Sequence, residues 1–210
     1  MRLIATADWH LGYRAFQRLG PDGINVRERD VAVTFSRMID RFIALAPDVI
    51  VVAGDLFDSA RPGNPAIVHA FGQLRKLRAA LPDVIVVLVA GNHDAPKQSG
   101  AGCILPLFAN LGVHVVDGPP KWLRFGDLAI LAVPDMPGVQ RPPLVPDPNA
   151  RRSVLCLHGE VQGMPRRKGQ RPAGEIARDD VGVEAWDFIS LGHYHGYTQL
   201  APNMAYSSSR

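Results

Sequence analysis

Short apolar runs rich in β-branched residues recur along the 210-residue chain, and several of them end on a small polar cluster. Leu3–Ala7, Val49–Ala53 and Val84–Ala90 are continuous and of strand length, the pattern of strands buried on both faces. His114–Val116, Trp122–Phe125, Leu128–Val133, Val154–Leu157 and Phe188–Leu191 follow as further strand candidates, with a hairpin expected at Gly126-Asp127. From Asn25 to Ala46 apolar residues recur at Val31, Phe35, Met38, Ile39, Phe42 and Leu45, a helical stripe. Asn25 followed by Glu28 has the form of a capping box. A second helix starts at Asn64-Pro65 and carries Ile67, Phe71, Leu74 and Leu77, and a third is expected from Gly102 to Asn110, stopping at Gly112. Strand–helix alternation followed by mostly β structure calls for a layered α/β fold.

The polar clusters are Asp8 with His10, Asp55 with Asp58 trailing, Asn92-His93-Asp94, His158, and His193 with His195. Open α/β sheets bind ligands at the carboxyl ends of their strands, so these distant segments are expected to meet on one edge. Gly54, Gly91, Gly159 and Gly192 adjoin them and permit sharp turns close to an ion. Singly, each polar residue has a structural reading as a cap, a turn or a core histidine. The ordered set is different: two carboxylates, one carboxamide and up to five imidazoles can hold two divalent cations, a device for breaking phosphate esters. Asp55, on the middle strand, is the natural bridge. Mixed oxygen and nitrogen donors suit Mn, Fe or Zn better than Mg or Ca, and the lack of a thiolate argues against a structural zinc. His69, in a helix, and His114, at a strand start, lack this setting.

Apolar residues make up 47% of the chain, so a core can form. The charge is +3, from 23 basic and 20 acidic residues, which alone does not argue for nucleic acid. Two cations would make the cleft more positive than that figure suggests. The Gly159–Gly174 loop carries Arg166, Arg167, Lys168 and Arg171, read either as nucleic-acid phosphate contacts or as a solvated face. Trp9 and Tyr13 are read either as base-stacking groups or as core. Two cysteines give no disulfide framework, and Cys156 reads as a small core residue. No secretory signal is visible and no apolar run approaches the ~20 residues of a membrane span. The expected location is the cytoplasm. The end at Ser207-Ser208-Ser209-Arg210, straight after a strand, is expected to mark a missing C-terminal part or a minimal version of something larger.

Ala7-Asp8-Trp9-His10-Leu11-Gly12, Gly54-Asp55-Leu56-Phe57-Asp58, Gly91-Asn92-His93-Asp94 and Gly192-His193-Tyr194-His195 resemble the calcineurin-like metallophosphoesterases, and within them the SbcD-type DNA repair exonucleases. Arg27-Glu28-Arg29-Asp30, Arg61-Pro62 and the closing stretch Asn203 to Ser208 add to the likeness. The resemblance implies an α/β/β/α sandwich over residues 1–210, without the capping and ATPase-docking regions usual in that branch. It implies a first metal held by Asp8, His10, Asp55 and His195, and a second by Asp55, Asn92, His158 and His193, with manganese the typical ion. It makes His93 the group acting on the leaving oxygen, with Asp94 fixing its ring. It further implies DNA phosphodiester hydrolysis by a two-metal mechanism, an SMC-like ATPase partner and a homodimer formed through an exposed helix face. The alternatives are a phosphodiesterase or phosphatase for small nucleotides or signalling esters, and a non-catalytic scaffold. The complete donor set argues against the scaffold. A phosphoprotein phosphatase would typically have Arg-Gly after its Gly-Asp motif and Glu after Asn-His.

Overall fold

The computed structural model describes residues 1–96, 102–164 and 174–207. One sheet holds β1 (Leu3–Thr6), β2 (Val49–Ala53), β3 (Ile85–Val89) and β4 (His114–Val116), all parallel and in that spatial order. The second comprises β5 (Lys121–Phe125), β6 (Leu128–Val133), β7 (Arg152–His158), β8 (Phe188–Gly192), β9 (Thr198–Ala201) and β10 (Met204–Tyr206). Its order is β5-β6-β7-β8-β10-β9. The β5–β6 hairpin turns at Gly126-Asp127 as expected, and β6, β7, β8 and β10 run parallel.

Alternation within strands divides the apolar residues between layers. Val49, Val51 and Ala53 of β2 face the second sheet, where they meet Ile130, Ala132, Val154 and Cys156. Ile50 and Val52 face the helices and pack with Phe35, Ile39, Phe42, Leu74 and Leu77. Those helices are α1 (Val26–Leu45) and α2 (Asn64–Ala80). The outer face of the second sheet packs Leu155, Leu157, Ile189 and Leu191 against Leu144, Val181 and Trp186. Its only α-helix among the described residues is α3 (Arg178–Val181), a single turn. The α/β/β/α order therefore stands, with a reduced fourth layer.

Two local expectations are corrected. The third helix is a 3₁₀ segment, Leu105–Leu111, ended by Gly112 in the left-handed region. Asn25 does cap α1, with Oδ1 accepting from the N–H of Arg27 at 3.0 Å and of Glu28 at 3.4 Å. Glu28 does not complete a capping box, because its carboxylate pairs with Arg14 Nε at 2.7 Å. No helix among the described residues is long and apolar enough to cross a membrane.

Candidate metal centre

Each expected donor stands at the carboxyl end of a strand or one turn beyond it. Asp8 and His10 follow β1, Asp55 follows β2, Asn92 follows β3, His158 ends β7, and His193 and His195 follow β8. Six non-glycine residues among those described have positive φ, and four of them are Asp8 (55°), His10 (45°), Asp55 (54°) and His193 (115°). Such backbones cost free energy and persist where the surroundings enforce them, commonly at functional sites. Neighbouring glycines make room. A Cβ on Gly91 would overlap Oδ1 of Asp55, and one on Gly54, itself at φ 90°, would overlap the ring of His158. The loops are cross-tied by the carboxylates: Asp8 Oδ1 accepts from the His193 N–H at 3.0 Å, and Asp55 Oδ1 from the His93 N–H at 2.9 Å.

The side chains form two donor sets joined at Asp55. In the first, Asp8, His10, Asp55 and His195 each bring one ligand atom into a group whose members all lie within 4.8 Å of one another. His10 Nε2 stands 3.0 Å from His195 Nε2 and 3.6 Å from Asp55 Oδ2. In the second, His158 Nε2 stands 3.5 Å from the same Asp55 oxygen and 3.0 Å from Asn92 Oδ1, and His193 Nδ1 lies 3.1 Å from Asn92 Oδ1. Burial pushes His158 below the ordinary histidine range, against the opposing charge of Asp55. Its Nδ1 donates to the Ala53 carbonyl at 2.8 Å, so the neutral ring presents a lone pair at Nε2. That lone pair faces two further acceptors, an arrangement that suits a cation between them. Asp8 and Asp55 are each 1% exposed, and buried carboxylates demand a compensating positive charge. The donor set thus fits divalent metal; Asp8, His10, Asp55 and His158 are buried, and Asn92, His193 and His195 are half-buried.

Asp94 is placed differently from expectation. The Asp94 carboxylate turns inward, accepting from the N–H groups of Leu56 (3.2 Å), Phe57 (3.0 Å) and Gly91 (3.1 Å). It is fully buried, and burial, helped by the charge of Asp55, pushes its pKa up to about 7. It therefore clamps the Asp55 turn to the Gly91 turn and does not fix the His93 ring. The ring is held instead by the backbone carbonyl of Asp58, 2.8 Å from Nδ1. The Asp58 carboxylate lies 3.2 Å from His10 Nδ1.

Arg166, Arg167, Lys168 and Arg171 lie outside the described residues. Trp9 belongs to the core, donating to Thr6 Oγ1 at 2.9 Å and packing on Phe35. His69 bonds Ser36 and the Ala32 carbonyl between the helices, and His114 packs on Phe125, both away from the site. Among the described residues, two cavities border the donors. One of about 240 Å³ is lined by Asp135, Arg141, His158, Glu160 and His193. The other, about 790 Å³ and mostly apolar, runs between α1 and edge strand β1 with His10 among its lining residues. Sequence reasoning missed Glu160, whose Oε1 lies 3.2 Å from His193 Nε2. The available signal was its place two residues beyond His158, at the same strand exit.

Residues 1–201 match the family described as calcineurin-like phosphoesterase. The chain belongs to that family. Among its relatives is the DNA double-strand break repair protein Mre11 of Sulfurisphaera tokodaii, 29% identical over 92% of this chain and 49% of the relative. Another is the protein of the same name from Saccharolobus solfataricus, 26% identical over 93% of this chain and 49% of the relative. This calcineurin-like chain thus spans about half the length of these relatives. The crystal structure of Pseudomonas putida nuclease MPE matches with a TM-score of 0.36 and 21% identity, over 73% of this chain and 58% of that one.

Proposed function

We propose that this calcineurin-like phosphoesterase hydrolyses DNA phosphodiester bonds with two divalent cations, Mn²⁺ foremost, at the Asp55 centre. The observation that carries the reading is the position of Asp55 Oδ2, 3.6 Å from His10 Nε2 and 3.5 Å from His158 Nε2. One oxygen between two imidazoles is the geometry a bridging carboxylate needs. Asp8, His10, Asp55 and His195 would hold one ion; Asp55, Asn92, His158 and His193 would hold the other. Held there, the ions would supply an activated water and neutralise charge on the phosphate oxygens. His93, anchored through Nδ1 on the Asp58 carbonyl, presents Nε2 as the proton donor to the departing oxygen. The names of the relatives support DNA as the substrate class.

The test is manganese-dependent cleavage of labelled single- and double-stranded DNA beside bis-p-nitrophenyl phosphate. Cleavage of both substrate classes is expected. Hydrolysis of the small ester with DNA left intact would turn the assignment to a small-substrate phosphodiesterase.

A further inference from the structure

We propose that Glu160 is a positioning residue that keeps the proton of His193 on Nε2 and thereby turns the Nδ1 lone pair of that ring toward Asn92 and the metal centre. The inference rests on the metal-dependent reading above. His193 has an acceptor at each nitrogen: Asn92 Oδ1 is 3.1 Å from Nδ1, and Glu160 Oε1 is 3.2 Å from Nε2. A neutral imidazole has one proton to give. Placed on Nδ1, it would bond Asn92 Oδ1 and remove two donors of the second set together. Placed on Nε2, it bonds a carboxylate, a charge-assisted interaction of about twice the strength of a neutral one. Both Nδ1 and Asn92 Oδ1 then stay open to a cation. Glu160 does for His193 what the Ala53 carbonyl does for His158, which donates to it from Nδ1 at 2.8 Å.

The scaffold holds Glu160 in place from both sides. The fully buried Tyr206 hydroxyl accepts from the Val161 N–H at 2.7 Å and donates to the Gly159 carbonyl at 3.1 Å. The Ile176 N–H donates to the Glu160 carbonyl at 2.8 Å. The Gly159 N–H donates to the Gly192 carbonyl at 3.1 Å. Gly159 and Gly192 immediately precede Glu160 and His193, so this last bond sets the separation of carboxylate and ring.

The test uses the metal-free full chain, with ¹⁵N histidine spectra for the tautomer and calorimetric titration with Mn²⁺ for affinity. The wild-type spectrum is expected to show His193 protonated on Nε2. Glu160→Ala should weaken Mn²⁺ binding by about 10–100-fold, the usual effect of losing an outer partner of a ligating histidine. It should also move the His193 signal toward the Nδ1–H form. Glu160→Gln retains an acceptor and should recover most of the affinity. A wild-type ring protonated on Nδ1 overturns the proposal without any variant. So does Glu160→Ala with unchanged affinity and tautomer, or Glu160→Gln as damaging as Glu160→Ala. Failure of the wild-type protein to bind Mn²⁺ strikes the metal reading instead, and the tautomer spectrum still decides the role of Glu160.

Discussion

The Gly91 position shows how little slack the donors have. Its Cα hydrogens leave the space that Oδ1 of Asp55 occupies, and Asp55 is the carboxylate common to both donor sets. Gly91→Ala must displace Asp55 or the turn, and a misplacement on the order of 1 Å costs about 10²-fold in rate. Turnover of bis-p-nitrophenyl phosphate should fall by that order, with Mn²⁺ affinity falling in parallel; an unaffected variant would mean that Asp55 is not the shared ligand. His93→Ala should separate the two quantities. Its ring is bonded to a backbone carbonyl and stands outside the proposed donor sets, so calorimetry should find two ions still bound while turnover drops about 10²–10⁴-fold. Parallel loss of metal would make His93 a ligand. His158 gives a pH dependence in the metal-free protein. Its folded pKa is depressed by burial, so the unfolded chain binds the extra proton more readily. The stability it confers is fully present above the unfolded value of about 6.5 and is lost as pH falls through the folded value. The thermal midpoint of wild type should therefore fall below pH 6.5 more steeply than that of His158→Gln.

The strands and the two long helices were legible because each buries a period-matched face: β2 splits its residues between two cores, and Phe35, Ile39 and Phe42 line one side of α1. The N-terminus of α1 was legible too, and Asn25 does two jobs there. Its Oδ1 caps the helix while its Nδ2 donates to the Phe16 carbonyl at 2.8 Å. Asn25→Ala should cost about 1 kcal/mol in denaturant unfolding from the cap, and a change under a few tenths would show that the cap contributes nothing. The misread elements are those where pattern is too short to decide. Leu105–Leu111 spans seven residues with a Pro at its start and a Gly behind it, and it settles as 3₁₀, a form used in short connecting pieces. β9 is a four-residue edge strand, Thr-Gln-Leu-Ala, held by its turn and by β10, with no apolar run to announce it. Asp94 and Glu28 were misassigned for a related reason. A carboxylate's partner is fixed by which backbone N–H or Arg folds against it, and Leu56, Phe57 and Arg14 are distant in sequence from the residues they satisfy.

Across the chain the two sheets are joined by an apolar layer through their middle and by polar ties at the ligand edge. The ties include Asp8 to the His193 N–H and His158 Nδ1 to the Ala53 carbonyl, linking segments 185 and 105 residues apart. The candidate donors were legible as a set because strand exits in a layered sheet converge by topology, and Glu160 shares the His158 exit; Tyr206 and the Asp58 carbonyl were not legible, because which backbone and ring atoms they meet is set only by the fold. The proposed ions would bind ligands from β1, β2, β3, β7 and β8 at once, and no comparable cluster exists once the sheets separate. Binding to the folded state alone stabilises by about 2.7 kcal/mol per site when the ion is at a hundred times its dissociation constant. At roughly 2–4 °C per kcal/mol for a chain of this size, one filled site should raise the thermal midpoint by about 5–10 °C. Scanning calorimetry after EDTA treatment and after Mn²⁺ saturation measures the difference. Asp55→Asn, which weakens both donor sets, should abolish most of the gain while leaving the metal-free midpoint close to wild type. A midpoint indifferent to Mn²⁺ in the wild-type protein would mean that the convergence of these segments serves something other than metal.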